Sequence, residues 1–390
     1  MAGAVERERP RLGWLTMLGY CSGVMARGLK SRAMSVFMLL YYNQVLGLSP
    51  GLVSSLIFIS VIFDAIVDPI VGQMSDNFRS RLGRRHPFMY AAIIPVPVLF
   101  FALWNPPVGQ SDTVIAIYFT AVLLSLQFFD TLYELPSSSL LPELVQDYDK
   151  RSIWIACRSA FSYIAMTGIS ILAYSVFLKE NPDGTGGVLS RDGYFSFALF
   201  GALVIFTVYL ISTLVTHRQV PWLTQGRVKS PTLPQIVREA AATLKNVSFL
   251  SYTVFALAIA VSGGVKNAMD IYFNLYVYGI AQSQMAGIYL VSFAGLAISV
   301  FATPLLIRRF GRRDTLCFGV AGLFVCLSLP LTLWLFGLAP PKGSHGIFLL
   351  LVGDQIVLQF FGFLCGACGL GLLADIVEDA EVKTGRRSEG

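Results

Sequence analysis

The sequence has few charged residues. Aspartate, glutamate, lysine and arginine together make up 13% of the 390 residues, whereas 55% are hydrophobic. Soluble domains carry about 25% charged residues, because a chain folded in water needs polar side chains over its surface. The scarcity of charge excludes a soluble globular protein and a disordered one. It predicts a polytopic membrane protein.

Histidine and cysteine are also scarce. His86, His217 and His345 fall in predicted loops or at the edge of an apolar segment, so the sequence supports neither a histidine proton relay nor a resident metal site. Cys365 and Cys368 have the spacing of a metal-binding pair, but neither a second pair nor a histidine accompanies them. Packing in an apolar helix is the favoured interpretation. We predict no cofactor.

Long apolar runs are abundant. A helix needs about 20 mostly apolar residues to cross the bilayer core. Continuous runs of this length exclude a transmembrane barrel, whose strands alternate between apolar and polar residues. The fold class is therefore all-α, with ten predicted membrane spans. The spans are 14–46, 50–76, 87–105, 113–142, 152–178, 193–215, 246–279, 284–307, 315–337 and 345–375.

Lysine and arginine are unevenly distributed between the loops. Of the 29 cations, 21 fall in the N-terminal tail and in alternate loops, and only three fall in the opposite loops. Cytoplasmic loops carry an excess of these residues, so we predict a cytoplasmic N-terminus. This bias explains the net positive charge without a nucleic-acid partner. The charged N-terminal segment, with no small-residue cleavage site after the first apolar run, predicts no signal peptide.

Two motifs recur at nearly one spacing. Arg-Leu-Gly-Arg-Arg at 81–85 is echoed in the second half of the chain by Arg-Phe-Gly-Arg-Arg at 309–313. The segment 142–149 is echoed, at almost the same separation, by the segment 374–381. Such repeats are typical of transporter folds built from two homologous halves.

The repeat predicts how the chain is divided. We expect an N-terminal six-helix half at 1–215, a cytoplasmic linker at 216–245 and a C-terminal half at 246–390. Two predicted spans follow the second motif in the first half, and none follows it in the second half. We therefore expect a twelve-helix protein truncated to about ten helices.

Ionisable side chains inside a span are costly and mark binding sites or pathways. Asp64 and Asp68 are four residues apart, which places both carboxylates on one face of the second predicted span. Two oxygen-rich groups side by side suit a small hard cation or a shared proton. The alternative, a structural pair neutralised by arginine or lysine, is the less favoured interpretation.

Other predicted spans carry pairs with the same spacing. Asp130 and Glu134 lie in the fourth span, and Arg158 in the fifth is available to pair with them. A role in the function and a pin between two helices remain nearly equal alternatives here. Lys266 and Asp270 in the seventh span form a pair that is able to neutralise itself. Substrate contact and self-neutralisation are equally favoured for that pair.

The first predicted span contains three cations, Arg27, Lys30 and Arg32. They are available to pair with the acids of the second span. We expect Arg27, next to Gly28, to lie nearest a cavity, and the other two to snorkel toward the membrane surface.

Several stretches resemble one transporter family. The run Asp-Ala-Ile-Val-Asp-Pro-Ile-Val-Gly-Gln-Met-Ser-Asp at 64–76, followed by the basic motif at 79–87, strongly resembles the glycoside-pentoside-hexuronide:cation symporters. These form the melibiose-permease-like branch of the major facilitator superfamily. The segments 41–49 and 374–385 agree with the same family. The resemblance implies a major facilitator fold and two helices beyond the second motif.

The resemblance also implies roles for individual residues. Asp64 and Asp68 would form the site for sodium, lithium or a proton. Glu134 falls where relatives that transport sugars have an acidic sugar-binding residue, and Arg158 matches an arginine that contacts sugar.

The sequence departs from the family pattern at three positions. Gly28 stands where relatives have another acid, and Ser138 and Gly366 stand where relatives have aromatic residues that stack on the sugar. These departures argue against a galactoside. A similar branch in animals carries lysophospholipids, so an amphiphilic substrate stays an alternative.

The leading hypothesis is therefore secondary active symport in the plasma membrane (the inner membrane of a bacterium) by a monomer that is not an enzyme. Sodium or a proton would neutralise the acids of the second span. Substrate would bind at Glu134, Arg158, Asp130, Lys266 and Asp270. Ion pairs at the cytoplasmic side would hold the gate. The predicted gating residues are Asp76, Arg79, Arg81, Arg84, Arg85, Asp147, Asp149, Arg312, Arg313, Asp375, Glu378 and Glu381.

Two other classes of protein are alternatives. An intramembrane prenyltransferase would hold magnesium diphosphate on Asp-x-x-x-Asp motifs, which occur at 64–68 and at 375–379. These two motifs lie far apart in the chain and do not occupy equivalent places in the repeat. A receptor or scaffold that transports nothing has no need of the buried charges.

Overall fold

A computed structural model of the chain is helical along nearly its whole length. The structure describes residues 12–107, 109–180, 186–223 and 247–384, except the side chains of 148, 149, 152, 247, 248, 370 and 373–384. Within these ranges, extended pairing is limited to one isolated bridge, between Glu180 and Gly186. The predicted all-α class is confirmed.

The first of two compact units, Met1–Pro231, is built from eight described α-helices. The helices are α1 Trp14–Ser22, α2 Val24–Arg32, α3 Pro50–Asn77, α4 His86–Ala92, α5 Pro95–Leu103, α6 Asp112–Leu144, α7 Tyr148–Leu172 and α8 Asp192–His217. Short π-helical turns continue α2 at Ala33–Met38 and Tyr41–Val45, and continue α7 at Ala173–Phe177.

The second compact unit, Thr232–Gly390, contains three long described helices. These are α9 Val247–Tyr272, which a π-helical turn at Phe273–Val277 extends, α10 Gln282–Leu335 and α11 His345–Thr384. The boundary between the units lies inside the predicted linker 216–245, of which 224–245 falls outside the described residues. The assignment of that linker stays a prediction.

All ten predicted spans are helical. Among the described residues, eight helices are long and apolar enough to cross a membrane. One of them, α10, runs over 54 residues and comprises two helical segments that meet at a kink, enough for two spans of about 20 residues each. Gly311 interrupts it with φ 80° and ψ 165°, at the loop predicted between spans eight and nine. The first predicted span, interrupted by π turns and carrying three cations, is outside the eight.

The backbone repeats at the spacing of the sequence motifs. In the first unit, the N–H of Leu46 donates to the carbonyl of Tyr41 at 3.0 Å, and Gly47 follows with φ 84°. At the equivalent point of the second unit, the N–H of Tyr278 donates to the carbonyl of Phe273 at 2.9 Å, and Gly279 follows with φ 66°. Both π turns thus end at a glycine in the left-handed region, which an L side chain rarely adopts.

Close contact between α2 and α7 depends on Gly28. A Cβ atom at this position would lie 2.1 Å from the carbonyl oxygen of Ser162 on α7. Gly28 is buried in this contact. Its small size allows the two backbones to approach.

Replacing Gly28 with alanine is expected to lower the free energy of unfolding by about 2 kcal/mol, because the new methyl group forces α2 and α7 apart. Thermal unfolding of the purified protein in detergent measures the effect as a lower Tm. Gly168→Ala on α7 is the matched control, since no atom lies within 4 Å of a Cβ there. Equal Tm values for the two variants would contradict the prediction.

Candidate functional site

The two carboxylates of α3 are linked through α6. Ser49 caps the start of α3 by accepting the N–H of Leu52, and the helix continues through Pro69. Asp64 and Asp68 are half-buried on one face, as their spacing predicts. The buried hydroxyl of Thr131 lies 3.2 Å from Oδ1 of Asp64 and 3.1 Å from Oδ1 of Asp68. One hydroxyl thus holds two carboxylates at a single point.

Thr131 was not predicted from the sequence. A threonine in an apolar helix usually bonds its own helix, so its residue type carries no signal. The position of Thr131 did carry a signal, because Thr131 directly follows Asp130, a candidate solute-binding residue in the sequence. Three oxygen-bearing side chains from α3 and α6 therefore converge where two were expected.

Arg27 and Lys30 of α2 form their ion pairs with acids of α6. Nη1 of Arg27 lies 3.7 Å from Oε2 of Glu134, and Lys30 forms an ion pair with Asp130. Neither Asp64 nor Asp68 forms an ion pair with another described residue. The expectation that the cations of the first span pair with the acids of the second is wrong for Arg27 and Lys30.

Lys30 is deeply buried, so the prediction that it snorkels is also wrong. The residue is 3% exposed, and its ammonium donates to the hydroxyl of Tyr209 at 2.9 Å. That hydroxyl donates in turn to Oδ1 of Asp130 at 2.8 Å. An ammonium buried to this degree needs a carboxylate partner, which α6 provides in Asp130, while α8 provides the hydroxyl of Tyr209.

Arg27 is the more exposed of the two cations of α2 that pair with acids of α6. Its side chain is 66% exposed, and its partner Glu134 has a second oxygen, Oε1, that is buried with no hydrogen-bond partner in the described part of the chain. A carboxylate oxygen and a guanidinium with spare hydrogen-bonding capacity, held on facing helices, can bind a polar solute.

Arg158 does not pair with the acids of α6 as expected. Its Nη1 donates to the hydroxyl of Tyr20 on α1, and the guanidinium lies 5.0 Å from the centre of that ring. The Tyr20 hydroxyl donates to the carbonyl of Ser137 at 2.8 Å. The arginine is thus held against α1 and α6 by neutral groups.

A second charged cluster joins the loop before α4 to the end of α6. Arg84 and Arg85 lie 2.5 and 3.0 Å from the same oxygen of Glu143, and Arg85 lies 3.4 Å from Asp76. Both arginine side chains are nearly buried. Burial lowers the pKa of Arg85 below its usual value, and the carboxylate of Glu143 offsets part of that effect.

The predicted gate partners are only partly found in this cluster. Asp76 is present. Asp147, which the sequence predicts to form gate ion pairs, instead caps α7 by accepting the N–H of Lys150 at 3.1 Å and lies outside this cluster. Glu143 was missed, although it precedes Asp147 in the repeated segment. Arg79, Arg81 and Arg313 are exposed in the structure, and the side chains of Asp149, Asp375, Glu378 and Glu381 lie outside the described residues.

Arg312, on α10, is the remaining predicted gating residue. Its guanidinium arm passes close to Gly371 on α11, with Nε 3.3 Å from where a Cβ would lie. The side chain thus packs across two helices of the second unit. A gating role for it stays a prediction.

The second unit has its own charged pair. Nζ of Lys266 lies 3.1 Å from Oδ1 of Asp270, and Oδ2 of Asp270 accepts a hydrogen bond from Tyr289 at 2.9 Å. Asp354 on α11 lines a cavity of 560 Å³, and its Oδ1 has no hydrogen-bond partner in the described ranges. Lys266 and Asp270 thus neutralise each other, as their spacing allows.

The described residues contain no group of three or more histidine, cysteine, aspartate or glutamate side chains placed to hold a metal ion. The donor set at Asp64, Asp68 and Thr131 is all oxygen. Such ligands suit a small hard cation that is carried and released.

Comparison with known proteins places these features in a family. A family model described as MFS/sugar transport protein matches residues 19–390. An uncharacterized symporter of Synechocystis sp. is 33% identical over 178 residues, which cover 44% of this chain and 32% of that protein. The isoprimeverose transporter of Lactiplantibacillus pentosus is 24% identical over 388 residues, which cover 97% of this chain and 74% of that protein.

A solved structure has the same fold. The crystal structure of a D-xylose-proton symporter matches with a TM-score of 0.59 at 15% identity, over 90% of this chain and 80% of that one. The match confirms the major facilitator fold. The relatives are transporters, so the alternative of an intramembrane prenyltransferase is wrong. The chain belongs to the MFS/sugar transport protein family.

Proposed function

We propose that the protein is a symporter that couples entry of sodium or a proton to transport of a sugar or glycoside-like solute. The observation that carries the proposal is the pair Asp64 and Asp68, held at one hydroxyl inside a membrane-spanning helix with no described ion-pair partner. Two carboxylates left unneutralised in such a place are costly unless a mobile cation binds them. The isoprimeverose and D-xylose-proton transporters among its relatives support the sugar-like solute.

In this mechanism the cation binds first. Carboxylate oxygens of Asp64 and Asp68 and the Thr131 hydroxyl replace part of its hydration shell. The bound charge then removes the repulsion between the two acids, so that α3 and α6 pack more closely. α6 also carries Glu134 of the solute site, and α3 and α6 carry Asp76 and Glu143 of the gate cluster. A change in the packing of these two helices therefore links cation binding to solute binding.

Solute binding is assigned to Glu134, Arg158, Asp130, Lys266 and Asp270. Of the two acids on α6, Glu134 is the stronger candidate, because one of its oxygens has no partner whereas Asp130 is engaged by Lys30 and Tyr209. Sugar hydroxyls donate well to such a carboxylate.

Gating is assigned to the cluster of Arg84, Arg85, Asp76 and Glu143. With the N-terminus in the cytoplasm, this cluster lies at the cytoplasmic end of α3 and α6. Its ion pairs would form while the protein faces outward and separate when it opens inward. Transport then follows the alternating access of two halves in the plasma membrane.

Replacing Thr131 with valine tests the observation that carries the proposal. Valine has nearly the same shape but no hydroxyl, so the half-saturating concentration of the driving cation is expected to rise at least about tenfold, the value of a hydrogen bond to a charged group. The measurement is solute uptake into proteoliposomes at increasing cation concentration. Thr131→Ser keeps the hydroxyl and is the control. Equal cation dependence of the valine and serine variants would contradict the site.

The solute class is tested with a panel of isoprimeverose, methyl xyloside, a glucuronide and lysophosphatidylcholine. Proteoliposomes with an imposed sodium or proton gradient are expected to accumulate at least one of the sugar-like solutes. Accumulation of the lysophospholipid alone would replace the proposed solute by the amphiphilic alternative.

A further inference from the structure

Lys30 is paired with the residue of α6 that is next in sequence to the candidate cation site. Its partner Asp130 immediately precedes Thr131 on α6, and Thr131 contacts both acids of α3. Adjacent residues on a helix point about 100° apart, so α6 presents Asp130 toward α2 and Thr131 toward α3. The ammonium is therefore separated from the cation site by one step of a single helix.

Arg27 and Lys30 are both cations of α2, and each is paired with an acid of α6, the helix that also contacts Asp64 through Thr131. The two cations differ in hydration, because the Arg27 side chain is 66% exposed whereas Lys30 is buried. A buried charge is screened far less than an exposed one, so water weakens the field of Lys30 less than that of Arg27.

We propose that Lys30 is a tethered internal cation that competes with the transported cation for Asp64 and Asp68, and that Asp130 and Tyr209 hold it away while the ion is bound. The inference rests on the proposed cation site. It adds a residue and a role: Lys30 changes partner from Asp130 to the acids of α3 when the site is empty.

The physical reason is that the Lys30 ammonium and the two carboxylates of α3 each need an opposite charge nearby. A buried ammonium without a carboxylate is strongly destabilising, and so are two buried carboxylates without a cation. Moving Lys30 between Asp130 and the α3 pair keeps the ammonium paired in both states. Lysine suits this exchange, because it carries a compact charge on a flexible stem of four carbons.

The experiment measures sodium binding to the purified protein by isothermal titration calorimetry. In Asp130→Asn, Lys30 loses the partner that holds it away, so the dissociation constant for sodium is expected to rise at least about tenfold. Adding Lys30→Met removes the competitor. The double variant Lys30→Met/Asp130→Asn is therefore expected to bind sodium within about threefold of the native protein.

The single variant Lys30→Met separates competition from a structural role. Competition predicts that it binds sodium more tightly than the native protein, whereas a lysine that only holds the helices together predicts unchanged or weaker binding, and that result would overturn the proposal. Native affinity in Asp130→Asn would also overturn it. Should Asp130→Asn fail to fold, Tyr209→Phe loosens Lys30 instead, with an expected weakening of about threefold that Lys30→Met reverses.

The inference and the proposed function fail in distinguishable ways. Absence of both sodium and lithium binding from the native protein would overturn the competition by Lys30. Solute accumulation driven by a proton gradient would in that case leave the proposed function standing.

Discussion

Replacing Asp68 with asparagine is expected to abolish accumulation of solute against its gradient. Asparagine keeps the shape of the side chain and can still accept the hydrogen bond from Thr131, which lies 3.1 Å from Oδ1 of Asp68. It lacks the charge, and a cation that faces one carboxylate in place of two loses roughly 3 kcal/mol or more of attraction in a partly buried site. The affinity for the cation is then expected to fall at least about a hundredfold.

The measurement compares two modes of transport in proteoliposomes. Accumulation driven by an imposed cation gradient depends on coupling, whereas exchange of labelled for unlabelled solute across the membrane does not. Asp68→Asn is expected to lose the first and keep much of the second, which also shows that the variant is folded. Unchanged accumulation in Asp68→Asn would remove Asp68 from the cation site.

Asp147→Asn is the matched control for this variant. Asp147 is an exposed carboxylate that caps α7, with its side chain 52% exposed. Asparagine is as good a cap as aspartate, so the substitution removes one negative charge with little effect on the helix. Accumulation is expected to stay within about twofold of the native value, since exposed ion pairs contribute little.

Local patterns in the sequence predict where the helices lie and which nearby side chains share one face of a helix. The length of each apolar run predicts a helix, and the spacing of Asp64 and Asp68 places them on one face. The break in α10 was also predictable, because Gly311 lies in a short basic loop and adopts φ 80°. All of these features depend on residues that are close in the chain.

Contacts between helices could not be predicted in the same way. Lys30 is held by Tyr209, which is 179 residues away, and Thr131 contacts Asp68, which is 63 residues away. Which residues meet across two helices depends on how each helix is rotated and shifted, and many arrangements bury the same apolar faces. The snorkelling expected of Lys30 follows from its residue type alone. In the structure, the polar groups of α6 and α8 hold its ammonium in the interior instead.

The internal repeat indicates a role for Glu143 that its residue type alone does not. Glu143 occupies in the first repeated segment, 142–149, the place that Asp375 occupies in the second, 374–381. An acid at both places indicates a shared requirement for negative charge beside the arginine motif. The structure places Glu143 at that motif in the first unit, where it contacts both Arg84 and Arg85.

Replacing Glu143 with glutamine is expected to reduce solute uptake at least about tenfold, because it removes the charge on which the gate cluster depends. Arg84 and Arg85 approach one oxygen of Glu143 at 2.5 and 3.0 Å, and both guanidinium groups are nearly buried. Without that carboxylate, Asp76 is the one acid that remains among the described residues, at 4.0 Å from Arg84 and 3.4 Å from Arg85 and with its side chain 37% exposed. Removing one partner of a buried ion pair costs about 3–5 kcal/mol, because the remaining charge stays buried and unpaired.

The loss of the ion pairs should weaken the closed gate more than the fold as a whole. Ser75 lies buried near the end of α3, one residue before Asp76, and a cysteine placed there reports access to the gate. We expect a membrane-impermeant thiol reagent to label Ser75→Cys at least about tenfold faster in Glu143→Gln than with Glu143 intact. Glu180→Gln, in an exposed loop of the same unit, is the matched loss of one carboxylate and should change neither uptake nor labelling. Native uptake together with native labelling in Glu143→Gln would mean that Arg84 and Arg85 hold the gate through Asp76 alone.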